Sequence, residues 1–365
     1  MEATTEAAAS QNVPLIDQGL VSMETYDSLY SMVSYFMYPL TFVGFVFCAL
    51  GAVVYSTKPM RSPTSIYLVA LNLSELANVL ITMALETTGV IYGQKSTTSL
   101  VHLTVRLYFS IYLGTAFRRA TYCLSLLLSA ERCIAVVSPL KSQHFKIVKN
   151  PVISVICVTV VSILFHVFVA LKYVVVSYQS PTTNETLWKF QFTEIFLASR
   201  LEYEAWSISS KVMFVYAVLL GCLISNFVTV ITLRRHSKAR KNMVATNCAR
   251  NNDRRITVTV LVSTFVIVIL ALPSNVSSLV ENTAAGYGTN TKEHYLFHTI
   301  MRIGKLCELT SNCLGFVFYM ILSSQFRKVF FEIFGQCCGR KSTNNETGTP
   351  SLVSESTNLS VISKL

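Results

Sequence analysis

Leu107–Val137 reads LYFSIYLGTAFRRATYCLSLLLSAERCIAVV. From Leu107 to Leu128 the run is mostly apolar and reaches the roughly 20 residues a helix needs to cross a bilayer. It then ends in the charged triplet Glu131-Arg132-Cys133. An acid followed by an arginine at the end of a spanning helix forms a local ion pair, and breaking that pair frees a planar guanidinium for another partner. Two readings stand side by side here. Arg132 is a switch, or it is an anchor that stops translocation at the membrane edge, where basic residues are common.

Outward from this stretch, the chain of 365 residues is 52% hydrophobic and 13% charged, which suits several spanning helices and leaves little for a soluble domain. Seven apolar segments lie at roughly 32–57, 64–92, 99–133, 151–176, 208–234, 255–281 and 296–322. Residues 1–31 carry Glu2, Glu6, Asp17, Glu24 and Asp27 and neither Lys nor Arg. Without the basic start and early apolar run of a signal peptide, they read as a flexible, uncleaved acidic tail.

Basic residues gather on the cytoplasmic side of a membrane protein. Lys58 and Arg61 lie in the first link, Lys141, Lys146 and Lys149 in the third, and Arg234, Arg235, Lys238, Arg240, Lys241, Arg250, Arg254 and Arg255 around the fifth. This pattern predicts a multi-pass plasma-membrane protein with its N-terminus outside and its C-terminus in the cytoplasm. The net charge of +11 is then a topology signal rather than a nucleic-acid signal, and the fifth link also suits anionic lipid headgroups. None of the ten cysteines falls in the outer links, so no disulfide framework is expected there. Asn184-Glu185-Thr186 is a glycosylation sequon in the link assigned outside, whereas Asn72 and Asn275 fall at membrane depth and Asn345 and Asn358 on the cytosolic side.

Several short motifs recur in order. Met60-Arg61-Ser62-Pro63-Thr64-Ser65-Ile66-Tyr67-Leu68 leads into Leu71-Asn72-Leu73-Ser74-Glu75-Leu76. Glu131-Arg132-Cys133 is followed by Ile134-Ala135-Val136-Val137-Ser138-Pro139-Leu140. Leu272-Pro273 is a kink candidate in helix six, and helix seven ends in Tyr319, seven residues before Phe326-Arg327. Over about residues 32–335 this combination resembles a rhodopsin-like (class A) G-protein-coupled receptor, and within that family it is most like the invertebrate FMRFamide-type neuropeptide receptors. The resemblance implies a switch made of Glu131, Arg132 and Tyr319, a heterotrimeric G protein as partner, and arrestin and receptor kinases as further partners.

Departures accompany the matches. Glu75 stands where an Asp is usual, Cys48 replaces the helix-one Asn, and no Trp occurs in 151–176. The helix-five Pro is absent, Ala271 replaces a frequent Trp, and Gly315-Phe316-Val317-Phe318-Tyr319 replaces Asn-Pro-x-x-Tyr. Leu107 stands near the place of the family's helix-three Cys, and the second outer link has no Cys to pair with one. Of the family's buried polar network, Glu75 with Asn312 is what remains.

Ionisable groups at membrane depth are costly unless paired or turned to a polar cavity. Arg118 and Arg119 lie in helix three, Glu75 and Glu86 in helix two, and Arg302, Lys305 and Glu308 in helix seven. Arg118 and Arg132 are about 21 Å apart along their helix and about 40° apart around it, so both face the bundle interior. Lys305 and Glu308 share a face. One reading has Arg118 paired with Glu308 or Glu75 purely to neutralise charge; the other makes Arg118, Arg119, Glu86, Lys305 and Glu308 a ligand pocket. The two are compatible if a ligand disturbs the pair. An opsin fits less well, because the retinal-linking Lys would fall near Leu309.

After helix seven, Phe326, Val329, Phe330, Ile333 and Phe334 form one apolar helical face, Gly335 ends it, and Cys337-Cys338 follow. That predicts a short amphipathic eighth helix over 323–335 lying at the membrane surface, with Cys337 and Cys338 as palmitoylation sites. Residues 336–365 read as a disordered cytoplasmic tail. The terminal Ser363-Lys364-Leu365 matches a peroxisomal address by chance or serves as a PDZ ligand. Enzyme motifs, cofactor loops and metal-ligand spacings are absent from the sequence, and His102, His166 and His298 are scattered.

The expectation is an all-α, seven-transmembrane helix bundle (32–322) that converts binding of an extracellular peptide into G-protein activation. The alternatives are a receptor-like protein with reduced signalling and a transporter or channel that uses the buried charges. A transporter would suit internal repeats and interrupted helices, and no repeat is seen.

Overall fold

The computed structural model describes residues 19–60, 62–92, 99–138, 150–179, 186–240, 248–284, 286–288 and 291–337. Seven helices in it are long and apolar enough to cross a membrane. They are α1 (Met23–Ser56), α2 (Pro63–Tyr92), α3 (Leu100–Val137), α4 (Pro151–Lys172), α5 (Arg200–Arg235, helical on to Arg240), α6 (Cys248–Thr283) and α7 (His294–Leu322). An eighth, α8 (Ser324–Cys337), follows a break at Ser323. Helices dominate because a backbone in hydrocarbon must satisfy its own hydrogen bonds. Residues such as Phe42, Leu164, Phe227 and Ile321 remain exposed on the outside of the bundle, as side chains facing lipid tails would be.

Local chemistry sets the ends. Ser22 caps α1 by accepting the Thr25 N–H, Ser99 does the same for His102 in α3, and Pro151 opens α4, where its missing N–H is harmless. α1 therefore begins at Met23, earlier than the apolar run at 32 and inside the stretch read as tail, because a cap and a polar first turn suffice to start it. α3 contains a π-helical stretch, Val105–Gly114, and α5 a shorter one, Val212–Tyr216. α4 breaks at His166, whose Nδ1 lies 2.7 Å from the Ser162 carbonyl oxygen and whose Nε2 lies 3.2 Å from Ser210 Oγ on α5.

Pure helix is not the whole architecture. The link after α4 forms an antiparallel hairpin, β1 (Tyr173–Gln179) with β2 (Thr186–Phe192), in the register Tyr173↔Phe192 to Gln179↔Thr186. The segments YVVVSYQ and TLWKFQF are rich in β-branched and aromatic residues, which favour a pleated surface. Thr193 then caps a one-turn helix, Glu194–Ala198, that leads into α5.

Among the described residues, three apolar clusters pack the helices against one another. Val33, Met37, Val79 and Leu309 join α1, α2 and α7. Tyr122, Val215, Leu219, Cys222, Ile267 and Val268 join α3, α5 and α6. At the other end of the bundle, Tyr55, Tyr67, Leu71, Leu124, Leu128, Val260 and Tyr319 receive Phe326 and Val329 of α8. α8 runs through Gly335 to Cys337, past the glycine expected to stop it. The Arg327 guanidinium caps the end of α7 by donating to the carbonyls of Met320 (2.9 Å) and Ile321 (2.6 Å). Asn184, Cys338, the C-terminal tail to Leu365, and Arg61, Lys141, Lys146 and Lys149 lie outside the described residues, as do residues 1–18.

Between α6 and α7 the backbones nearly touch. A Cβ on Gly304 would sit 2.6 Å from the Ser274 Cβ, whereas one on Gly315 would meet nothing within 4 Å among the described residues. Small residues permit this kind of approach in membranes. Gly304→Val is expected to destabilise the purified protein by about 1–3 kcal/mol, the usual scale of overpacking. Gly315→Ala should keep or slightly raise its melting temperature, because nothing opposes the added methyl and alanine favours the helix. Equal effects of the two substitutions would contradict the close approach.

Candidate functional site

A cavity of about 820 Å³ opens at the end of the bundle where α1 and α7 begin. α1, α2, α3 and α7 line it with Tyr26, Tyr30, Glu86, Arg106, Arg118, His298, Arg302 and Lys305 among others. The upper wall is fixed by a bidentate pair. Arg302 donates from Nη1 to Glu86 Oε1 at 2.7 Å and from Nη2 to Glu86 Oε2 at 2.9 Å and Ser34 Oγ at 2.8 Å, and its guanidinium lies 4.4 Å from the Tyr30 ring centre. Planar fork geometry makes such an arginine a stiff brace rather than a mobile charge.

The floor is a four-residue network across three helices. Glu308 Oε1 is 3.5 Å from Arg118 Nε, and Glu308 Oε2 is 3.3 Å from Lys305 Nζ. Asn78 on α2 completes it: its Nδ2 donates to Glu308 Oε1 at 2.9 Å, and its Oδ1 accepts from Lys305 Nζ at 3.2 Å. Of the two carboxylates open to Arg118 on sequence grounds, Glu308 is the one in contact. Glu75 lies deeper, where Cys48 Sγ donates to Glu75 Oε2 at 3.9 Å, and it lines a small void of about 20 Å³ with Asn78, Thr121, Glu308 and Asn312. Arg119 does not line the large cavity. One residue along the helix turns it by about 100°, and its guanidinium lies 6.0 Å from the Tyr122 ring centre.

At the opposite end of α3, Arg132 donates from Nε to Glu131 Oε2 at 2.6 Å and from Nη2 to Glu131 Oε1 at 2.9 Å. Thr64 on α2 donates to the same carboxylate at 3.2 Å, and Glu131 is only 3% exposed. Arg132 and Tyr319 both line a cavity of about 230 Å³ there, together with Tyr55, Thr64 and Leu68. Tyr319 meets Tyr55 edge to face, ring centres 5.2 Å apart.

The structure thus gathers Glu86, Arg118, Lys305 and Glu308 at one end and Glu131, Arg132 and Tyr319 at the other. It adds Asn78, Thr64 and the pairing of Arg302 with Glu86, none of which was assigned from sequence. Asn78 and Thr64 are neutral and carry no burial cost that singles them out. Arg302 and Glu86 were visible as charges at depth, and one helix pairing would have joined them.

Seven spanning helices carry a charged cavity at one end and an acid–arginine pair beside a tyrosine at the other, an arrangement that suits a seven-transmembrane receptor. The family model described as serpentine type 7TM GPCR chemoreceptor Srw matches residues 35–337, and the chain belongs to that family. No curated protein matches the chain.

Because two cations share one carboxylate, removal of its members is not symmetric. Glu308→Gln leaves Arg118 and Lys305 both without their acid, whereas Arg118→Met leaves Lys305 with Glu308. Orphaning a buried charge costs roughly 3–5 kcal/mol. Glu308→Gln is expected to lower surface expression and melting temperature more than Arg118→Met, and the double variant should recover part of that loss. A double-mutant cycle on melting temperature measures the coupling. Strict additivity would show that the two residues do not interact.

Proposed function

We propose that the protein is a G-protein-coupled chemoreceptor in which the cavity lined by Arg118 and Lys305 receives an extracellular ligand and the Arg132 end engages a heterotrimeric G protein. The observation that carries this reading is that α3 bears both sites. Arg118 is held by α7 midway along α3, and Arg132 is held by Glu131 and Thr64 near its end. A ligand that competes for Glu308 or Arg118 changes how α3 is held against α7. The same movement at the far end loosens Arg132 from Glu131 and turns the guanidinium toward a partner. A transporter reading gains no support from two cavities with separate linings.

In this reading the N-terminus and hairpin end lie outside the plasma membrane and α8 lies at the cytoplasmic surface. Its apolar face, seated through Phe326 and Val329, is then supplemented by acylation of Cys337 and Cys338, and the tail serves receptor kinases and arrestin. A peptide of the FMRFamide type is the ligand class that the motif resemblance favours, and the size of the cavity suits the terminal residues of a peptide.

Arg132→Ala is expected to abolish ligand-stimulated nucleotide exchange on the G protein while reaching the cell surface. Glu131→Ala should raise basal exchange. Full signalling by Arg132→Ala would sink the switch. For topology, the expected outcome is a glycan at Asn184 that glycosidase removes and that Asn184→Gln lacks. A glycan mapped to Asn345 would reverse the orientation.

A further inference from the structure

At the floor of the ligand cavity the charges do not balance. Arg302 and Glu86 satisfy one another through two hydrogen bonds. Beneath them Arg118 and Lys305 share the single carboxylate of Glu308, at 3.5 Å and 3.3 Å. Asn78 lends that cluster a dipole but no charge. At the next position Arg119 has no ion pair among the described residues, and the buried Nε atoms of Arg118 and Arg119 have no hydrogen-bond partner. Higher in the cavity Arg106 meets the Phe190 ring of β2 at 5.9 Å, and Asp27 lines the cavity as well, so the excess of cations is at the floor. Uncompensated cations at membrane depth are expensive and are tolerated where they face a cavity that an opposite charge can enter. Arg118 and Lys305 both line the cavity, while Glu308 lies behind them.

We propose that the floor between Arg118 and Lys305 is an anion subsite that takes a carboxylate of the receptor's ligand, with the apolar body of the ligand lying along Ile81, Leu85 and the Tyr30 ring. This rests on the reading of the cavity as a ligand site and adds the chemistry it selects. The incoming carboxylate is a second acid for two cations that now divide one. It withdraws one of them from Glu308, which is how occupancy loosens the tie between α3 and α7. The same chemistry is offered by a small organic acid or by the free C-terminus of a peptide; the amidated C-terminus of an FMRFamide-type peptide does not supply it, so the subsite selects against the ligand class that the motif resemblance favours.

The test uses the full-length receptor in lipid nanodiscs, with melting temperature as the readout. The probes are 3-phenylpropionate, an N-acetylated tripeptide ending in phenylalanine with a free carboxylate, and the amides of both. Either acid is expected to raise the melting temperature by about 2–4 °C at a tenfold excess over its Kd, and neither amide should. A shift by phenylpropionate alone assigns the site to a small acid, and a shift by the tripeptide acid alone assigns it to a peptide terminus. Lys305→Met, which leaves Arg118 and Glu308 as a neutral pair, should melt no lower than the parent without probe and should lose the acid response. Amides that stabilise as well as acids would overturn the subsite. So would an absence of any shift with both acids, or a ligand-free Lys305→Met that melts several degrees lower. Melting reports binding without a G protein. Acid-selective stabilisation in a chain that never stimulates nucleotide exchange would therefore refute the signalling reading and leave the subsite standing.

Discussion

The carboxylate of Glu308 is the interaction on which the arrangement of the bundle depends. It lies where water is scarce and where a lone charge of either sign is costly. It answers a guanidinium from α3, an ammonium one turn away on α7 and an amide from α2. In hydrocarbon, helices gain little by burying apolar faces against each other, since lipid tails are equally apolar. Polar contacts of this kind fix which faces meet. The close contact of Gly304 with Ser274 fixes how near α7 comes to α6, and the two features together set the height and rotation of α7.

α3 uses the same device twice, with different degrees of closure. At one end the acid and the arginine are neighbours in sequence, and a threonine from α2 holds the carboxylate. The pair is local, so opening it requires no large rearrangement of backbone. Midway along α3, at Arg118, the partners come from three helices, so any change there is felt by the whole bundle. A local pair joined through one stiff helix to a distributed one is a physical basis for passing a binding event along α3.

Much of this was legible from residue type alone. Hydropathy located all seven spans, because length and apolarity are what the bilayer demands. The charges at depth pointed to Arg118 and Glu308, because an ion in hydrocarbon advertises its need for a partner. The remainder was hidden for identifiable reasons. Asn78 and Thr64 are neutral, and nothing in one sequence says which neutral polar residue faces an ion. The hairpin Tyr173–Phe192 sits in a link where the membrane imposes no pattern, and its alternation was overshadowed by the apolar runs on either side. Arg119 shares its residue type with Arg118, but helical rotation sends it toward Tyr122 instead of the cavity.

The π-helical stretch Val105–Gly114 in α3 has a consequence for how the chain tolerates length change. A π turn holds one residue more than an α turn, so this stretch is slack stored in the helix. Losing one residue there lets the turn tighten to α geometry while Arg118 and everything below it keep their facing. The same loss between Arg118 and Glu131, where the helix is α throughout, would rotate Glu131 and Arg132 by about 100° relative to Arg118. One residue can therefore be lost from Val105–Gly114 without turning Arg118 against Arg132, and none can be lost from the segment between the two arginines.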